Sequence, residues 1–247
     1  MLEALIFDVD GTLAETEEIH RRAFNEIFAE QGLAWHWDRT LYGRLLDVTG
    51  GKERIRHFLD THAIAPAPDA AAIAALHQGK TRRYVDLVAR GELALRPGIA
   101  RLIDEARRAG VKLAIATTTS LPNIESLLLA TLGPDAIGWF DAIAAGDEVE
   151  AKKPAPDVYL LALERLGLPA TRCLAFEDSR NGVVSAMAAG LATVVTVSHY
   201  TAQQDFPEAL SVLDHLGEPD EPCRRLAGRA PHGAFVDMAT LREWVGA

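Results

Sequence analysis

The 247-residue chain has few cysteines, no long apolar run and a shortage of positive charge, and each of these excludes a class of protein. Its two cysteines, Cys173 and Cys223, form no CxxC pair, so neither a disulfide framework nor a zinc site is predicted. Lys and Arg number 25 against 35 Asp and Glu, a net charge of −10 that argues against nucleic-acid binding. No run approaches the roughly 20 apolar residues that cross a bilayer, so no membrane partner is expected.

What the chain does contain is typical of a globular protein with a sizeable core. Hydrophobic residues make up 49% of the sequence and charged residues 24%, close to the averages for soluble proteins. The first residues, MLEALIFDVDG, carry acids where a secretory signal would carry positive charge. We therefore expect a cytoplasmic protein, acting as a monomer.

Five short apolar runs predict a parallel β-sheet. Segments with helical periodicity separate them, and the first run ends abruptly in acids, as a buried strand does when it reaches a polar loop. The runs cover residues 2–9, 112–117, 140–145, 172–177 and 192–197. This alternation predicts an α/β fold with a Rossmann-like parallel sheet.

An insertion interrupts the alternation after the first run. Roughly 100 residues separate the first two runs, whereas a βα unit needs about 30. Helical periodicity over 15–31, 51–62 and 69–90 predicts an inserted α-helical cap. We place the cap at 14–90 and the α/β core at 1–13 plus 91–247. A long surface loop is predicted at 217–233, followed by a short helix near 237–245.

Polar residues collect where the predicted strands end, and in open parallel sheets ligands bind beyond those carboxyl ends. These candidates are Asp8, Asp10, Thr117, Thr118, Thr119, Ser120, Lys152, Lys153, Glu177 and Asp178. Two carboxylates about 4 Å apart repel by about 4 kcal/mol at an effective dielectric constant of 20, so four converging acids need a cation. Hard oxygen ligands indicate Mg²⁺. The alternative, four ordinary solvated loop acids, is disfavoured by their positions at strand ends.

The sequence DVDGTL at residues 8–13 resembles the first motif of the haloacid dehalogenase superfamily. Three further motifs follow in order: Thr117 matches the strand-end Ser or Thr, Lys153 in KKPAPD the lysine before proline, and Glu177–Asp178 in FEDSRNG the acidic metal motif. The resemblance covers nearly the whole chain, including a helical cap after the first motif.

This resemblance implies an aspartyl-phosphate mechanism. Asp8 is then the nucleophile that attacks phosphorus. Asp10 protonates the leaving oxygen and later deprotonates water, so its carboxyl has to be protonated at the outset. Lys153 and Thr117 hold the phosphoryl oxygens.

The same resemblance implies a metal-binding set. Mg²⁺ is held by the Asp8 side chain, the Asp10 backbone carbonyl and Asp178, and Glu177 binds it directly or through water. An acid at the Asp10 position suits phosphoesters, and the dehalogenases of the superfamily lack it. A phosphatase is therefore favoured over a dehalogenase.

Two cap residues are candidates for sugar contacts. Glu17 and His20 lie at the start of the first predicted cap helix, close to the nucleophile. Both could reach the hydroxyl groups of a sugar. The alternative for His20 is a partly buried helix residue without a ligand.

The sequence TGGKER in the cap predicts a second phosphate site. Gly50 and Gly51 expose backbone N–H groups before a helix, and Lys52 and Arg54 add positive charge. It is not a P-loop, because Leu46 stands where that motif requires glycine. The alternative is a glycine turn with solvated charges.

The cap is similar to that of the β-phosphoglucomutases, in the spacing from Asp8 to His20 and in KTRRY, which starts at Lys80, a further candidate anion ligand. It departs from them at Leu46 and GGKER, where the mutases carry a Lys and an Arg. GGKER after a DVTG turn resembles the CbbY-like phosphatases that accompany red-type Rubisco. That resemblance implies hydrolysis of the 1-phosphate of xylulose-1,5-bisphosphate, an inhibitory by-product, and a functional but not physical link to Rubisco.

Two alternatives stay open. One is a β-phosphoglucomutase or another small sugar-phosphate phosphatase of the same fold. The other, of a different class, is a non-catalytic sugar-phosphate-binding regulator, which four intact motifs disfavour. In every case the expected partner is a small sugar phosphate.

Overall fold

A computed structural model describes residues 1–246 of the chain as a seven-stranded sheet with helices around it. The strands are β1 (Ala4–Phe7), β2 (Lys112–Ala116), β3 (Ala142–Ala144), β4 (Cys173–Glu177), β5 (Ala192–Thr196), β6 (Ser211–Leu213) and β7 (Arg225–Gly228). The helices are α1 (Glu17–Glu30), α2 (Arg39–Leu45), α3 (Gly51–Thr61), α4 (Ala70–Val88), α5 (Ile99–Arg108), α6 (Leu121–Leu132), α7 (Asp157–Leu166), α8 (Arg180–Ala188) and α9 (Met238–Gly246). None of the helices within 1–246 has both the length and the apolar character needed to span a membrane.

The sheet has the order β3-β2-β1-β4-β5-β6-β7, and all neighbouring pairs are parallel except β6 and β7. The predicted α/β fold with a Rossmann-like parallel sheet is confirmed. After β3 the chain crosses to the other side of β1 and forms β4 there. The carboxyl ends of β1 and β4 are therefore the switch point at which open sheets of this kind bind ligands.

The central strand β1 is buried on both faces. Leu5 and Phe7 belong to the apolar cluster that also contains residues of α5, α6 and α9. Ala4 and Ile6 point the other way, into a cluster with residues of α7 and α8, as the two-residue period of a strand requires. Polar residues can follow β1 only beyond its carboxyl end, at Asp8.

The helices α1 to α4 lie between β1 and β2 in the chain and have apolar clusters of their own. One cluster is aromatic and includes Phe24, Trp37 and Phe58, whereas a smaller one joins Ile19 of α1 to Tyr84 of α4. The sequence analysis missed α2, a short helix whose cap is the Asp38 side chain. The division into a core and a cap at 14–90 remains a prediction.

The two linkers between these helices and the sheet lie side by side, because Ala14 and Leu95 form an antiparallel bridge. Arg96 is buried next to this bridge. Its guanidinium donates hydrogen bonds to four carbonyl oxygens, those of Gly11, Thr196, Val197 and Asp214. One side chain therefore ties both linkers to the ends of β5 and β6.

The predicted surface loop at 217–233 is wrong in part, because β7 lies within it and pairs with β6. All four residues of β7 are exposed. A strand without a buried face has no alternation of apolar and polar residues, which is the pattern used to predict strands. The predicted C-terminal helix near 237–245 is confirmed by α9.

Candidate active site

The centre of the site is a buried lysine between two carboxylates. Lys153 follows β3, Asp8 follows β1 and Glu177 is the last residue of β4. The Lys153 Nζ lies 2.7 Å from Asp8 Oδ1 and 2.6 Å from Glu177 Oε1. The Tyr159 hydroxyl donates a second hydrogen bond to Glu177, at 2.6 Å. The two carboxylates hold the pKa of Lys153 above its usual value against the effect of burial, so the lysine is a fixed positive charge.

Three buried acids at this point fit a divalent cation. Asp8, Glu177 and Asp178 each offer a carboxylate oxygen, and these oxygens lie within 4.8 Å of one another. Burial raises the pKa of Asp8 to about 7, even though Lys153 opposes the shift. Burial and the neighbouring acids Glu17, Asp8 and Glu177 also raise the pKa of Asp178. This excess of buried negative charge, on hard oxygen donors, is what a bound divalent metal neutralises.

Two glycines allow the acids to approach the backbone. A Cβ at Gly182, in the first turn of α8, would lie 1.9 Å from Glu177 Oε2. Gly11 has φ 78°, and a Cβ there would lie 2.2 Å from Asp178 Oδ2. Any side chain at either position would displace a carboxylate of the acid cluster.

We expect Gly182→Ala to lower the affinity for Mn²⁺ by about tenfold or more, the size of effect seen when groups that orient metal ligands are changed. The added methyl displaces Glu177 from Lys153 and Tyr159. Isothermal titration calorimetry of the folded variant measures the change. The control is Gly138→Ala, because a Cβ at Gly138 meets nothing within 4 Å. Equal Mn²⁺ affinity in both variants would contradict the expectation.

Asp10 is held by the cap rather than by the acid cluster. Thr16, at the N-cap position of α1, donates its hydroxyl hydrogen to Asp10 Oδ1 at 2.5 Å, and His20 Nε2 lies 2.9 Å from the same oxygen. Lys80 Nζ lies 2.7 Å from His20 Nδ1, and the Tyr84 ring stacks on the imidazole at 4.2 Å. Because an ionised carboxylate only accepts, Nε2–H donates to Asp10, and Nδ1 of the neutral imidazole accepts from Lys80.

This arrangement favours ionised Asp10. Burial opposes ionisation, but His20, Thr16 and Lys80 together hold the pKa of Asp10 below its usual range. Burial and Lys80 lower the pKa of His20 to about 4, so the imidazole is neutral near pH 7. The mechanism implied by the family resemblance starts from a protonated Asp10. The contacts in the structure instead stabilise the ionised carboxylate, which is the form that later takes a proton from water.

Two cavities are lined by residues of the sheet loops and of the cap, and they share Asp10, His20, Arg54 and Thr118. The larger has a volume of about 580 Å³, and its lining includes Asp8, Asp10, Glu17, His20, Tyr42, Arg54, Thr118, Lys153, Asp178 and Tyr200. The smaller, of about 40 Å³, is lined by Asp10, His20, Gly50, Gly51, Arg54, His77, Lys80, Thr118 and Thr119. Apart from Lys52, the cap residues predicted to bind substrate therefore line cavities that are also lined by Thr118 or Thr119, which follow β2.

Lys52, which the sequence places in the second phosphate site, lines neither of these cavities. Its Nζ lies 3.1 Å from Asp147 Oδ1 on the core. Gly51 and Arg54 are three residues apart on α3 and share a face, whereas Lys52 is turned about 100° away from Gly51. Helical phase therefore separates Lys52 from the other members of the motif.

Thr117 is buried and its hydroxyl accepts a hydrogen bond from the Thr119 backbone N–H at 3.3 Å. Thr118, the next residue, lines both cavities. A role for Thr117 in holding phosphoryl oxygens remains a prediction from the resemblance.

Several residues that complete the site were not predicted from the sequence. Thr16 and His77 carried a usable signal: Thr16 immediately precedes the first cap helix, and His77 precedes Lys80 by three residues and so shares its face. Tyr159 and Tyr200 carried none, because each reaches the site through tertiary contacts alone.

Comparison with known proteins agrees with the four motifs. The sequence model of the haloacid dehalogenase-like hydrolases matches residues 2–190. The chain is 54% identical to the plasmid CbbY protein of Cupriavidus necator over 246 residues, which cover 98% of this chain and 96% of that protein. Residues 2–190 are most of the chain, so the predicted family resemblance and the prediction of a hydrolase are confirmed.

Solved structures show the same relationship. A D10N mutant of CbbY from Rhodobacter sphaeroides, in complex with xylulose-1,5-bisphosphate, has a TM-score of 0.84 and 56% identity, over 87% of this chain and 95% of that chain. A β-phosphoglucomutase from Clostridium difficile has a TM-score of 0.71 and 20% identity, over 87% and 92% of the two chains. The second likeness shows a shared fold alone.

Proposed function

The chain belongs to the haloacid dehalogenase-like hydrolase family, and on that basis we propose that it is a Mg²⁺-dependent phosphatase that hydrolyses the 1-phosphate of xylulose-1,5-bisphosphate. The products are xylulose-5-phosphate and inorganic phosphate. In the cell this reaction removes an inhibitor of Rubisco. The substrate is a small sugar phosphate, and the link to Rubisco is functional.

In the first half-reaction an Asp8 carboxylate oxygen attacks phosphorus. The new P–O bond to Asp8 forms as the bond to the sugar oxygen breaks, and Asp10 gives its proton to that leaving oxygen. Lys153, fixed between Asp8 and Glu177, meets the phosphoryl oxygens with its positive charge. Phosphoryl charge arriving beside Asp10 favours the protonated carboxyl that this step requires.

In the second half-reaction Asp10 acts as a base. As a carboxylate held by Thr16 and His20, it takes a proton from a water molecule, whose oxygen attacks phosphorus and releases Asp8 and phosphate. Asp8, Asp178 and the Asp10 backbone carbonyl would hold Mg²⁺, with Glu177 binding directly or through water. The ion supplies charge neutralisation for the phosphoryl group and the acid cluster.

The smaller cavity is the observation that supports a bisphosphate. One phosphate at Asp8 leaves the second to be bound in the cap, and the smaller cavity combines Gly50 and Gly51 with Arg54 and Lys80. Burial lowers the pKa of Lys80 to about 7, and an arriving phosphate favours its charged form. Glu17, buried in the larger cavity, is available to sugar hydroxyls, whereas both ring nitrogens of His20 are engaged by Asp10 and Lys80. Xylulose-1,5-bisphosphate is proposed because a similar protein binds it.

We expect Mg²⁺-dependent phosphate release from xylulose-1,5-bisphosphate to exceed that from ribulose-1,5-bisphosphate, fructose-1,6-bisphosphate, β-glucose-1-phosphate and phosphoglycolate. The reason for preferring a bisphosphate is the pair of anion sites, one at Asp8 and one in the cap, of which a monophosphate fills only one; the choice of xylulose-1,5-bisphosphate among the bisphosphates rests on the similar protein that binds it. Initial rates at equal low substrate concentrations give relative kcat/KM, and EDTA should abolish release in every case. Preference for β-glucose-1-phosphate, or for phosphoglycolate, would overturn the bisphosphate proposal.

A further inference from the structure

We propose that Asn181 of the core is a positioning residue that holds the cap turn, defined as residues 47–52, and thereby sets the affinity for the distal phosphate. Asp147 supports the same turn more weakly. The inference rests on the proposed function, because it assigns a task to the glycine pair of that turn.

Asn181 lies in the first turn of α8 and reaches across to the cap. Its Nδ2 lies 3.1 Å from the backbone carbonyl oxygen of Asp47 and 3.1 Å from Thr49 Oγ1. An amide nitrogen carries two N–H donors, so the two contacts use both. The cap turn therefore meets a rigid core element immediately before its two glycines.

The other end of the cap turn meets the core through Lys52 and Asp147, 3.1 Å apart. Both side chains are substantially exposed, at 42% and 52%. Exposed ion pairs contribute little and are screened by salt. We therefore assign the larger effect to Asn181.

The core side of both contacts is tied to the catalytic loops. Asn181 follows Asp178 by three residues, and the intervening Ser179 accepts from the Gly182 backbone N–H at 3.2 Å, which fixes the start of α8. Asp147 follows Gly146, whose backbone N–H donates to the Thr119 carbonyl at 3.0 Å. The cap turn is thus aligned with the acid cluster on one side and with the loop after β2 on the other.

Within the cap, Arg54 braces the residues before the glycines. Its Nε donates to the Leu45 carbonyl at 3.1 Å and its Nη2 to the Val48 carbonyl at 3.2 Å. A guanidinium has five N–H donors, so donors remain for a phosphate. Arg54 thus braces the cap turn, and the contact of that turn with Asn181 determines where the turn lies relative to Asp8.

The test compares a bisphosphate with an ester that has no second phosphate. We expect Asn181→Ala to raise KM for xylulose-1,5-bisphosphate by about tenfold, the size expected for two neutral hydrogen bonds. Its kcat/KM for p-nitrophenyl phosphate should change by less than about twofold. Thr49→Val, which removes one acceptor, should raise the same KM by about threefold, and the two effects should not be additive. Asp147→Ala should raise KM by about twofold at low salt only.

Amide hydrogen exchange over residues 47–52 gives a readout that does not depend on the substrate. We expect faster exchange in Asn181→Ala than in the exposed control Gln203→Ala. Equal KM changes for both esters, or exchange that matches the control, would overturn the assignment. If the wild-type protein hydrolyses p-nitrophenyl phosphate but no bisphosphate, the proposed substrate is wrong, and the exchange measurement alone decides the role of Asn181. Should Asn181→Ala fail to fold, Thr49→Val carries both measurements.

Discussion

Asp8→Asn is expected to reduce kcat by at least about 10⁴-fold, the scale on which removal of a nucleophile acts. The substitution keeps the shape of the side chain but replaces the attacking carboxylate with a neutral amide. It also removes one of the two anions around Lys153. Phosphate release from the best substrate of the panel measures the loss.

The control for this prediction is Asp205→Asn, an exposed acid at the rim of the larger cavity, which should stay within about threefold of the wild type. Acid quenching during turnover provides a second measurement: phosphate should be covalently bound to the wild-type chain and not to Asp8→Asn. Wild-type turnover in folded Asp8→Asn would refute the aspartyl-phosphate mechanism.

Lys153→Met has the second-largest expected effect, a fall in kcat of about 10³-fold. The methionine has a similar length but no charge, so the phosphoryl group loses its fixed cation. Folding should suffer as well, because Asp8 and Glu177 are left buried without their partner, at a cost of about 3–5 kcal/mol. Steady-state kinetics and denaturant unfolding measure the two effects, and added Mg²⁺ should restore part of the stability but little of the rate.

The neighbouring lysine offers a matched control. Lys152 donates to the carbonyl oxygens of Gly146 and Val149, at 2.7 and 2.6 Å, and touches neither carboxylate. Lys152→Met should therefore retain most of kcat. Equal losses of kcat in Lys152→Met and Lys153→Met would contradict a catalytic role for the contacts of Lys153 with Asp8 and Glu177.

The positions of Asp8, Lys153, Glu177 and Asp178 were predictable because each lies at the carboxyl end of a buried strand or in the loop that follows it. Parallel strands bring their carboxyl ends to one edge of the sheet, so residues distant in sequence converge there. This part of the site can therefore be predicted without knowing how the cap folds. The same pattern of apolar runs predicts strands β1 to β5 along the chain, but it misses β6, a strand of three residues. It also fails at β7, whose exposed residues carry no apolar pattern.

The cap was less predictable, because its site residues depend on rotation and packing. Gly51, Lys52 and Arg54 are almost adjacent in sequence, yet only helical phase and the approach of Asp147 decide that Lys52 turns away. The protonation of Asp10 likewise depends on His20 and Lys80, which are brought together by packing of α1 on α4. Such contacts between side chains remote in sequence leave no local signature.

The junction built by Arg96 has a consequence for how the cap can be varied. Four of its partners are backbone carbonyls, a group that every residue type presents, so most of the junction is independent of side chains; one exception is an ion pair between Arg96 Nε and Glu15 Oε1 at 3.5 Å. Gly11 is among those partners and directly follows Asp10. The same contact therefore also holds the backbone next to the catalytic residues. A foreign helical insert joined at Ala14 and Leu95 would inherit the same support. Such an insert would lack Thr16, His20 and Lys80, so a chimera made at that seam keeps Asp8, Lys153 and the acid cluster but has to supply its own partners for Asp10.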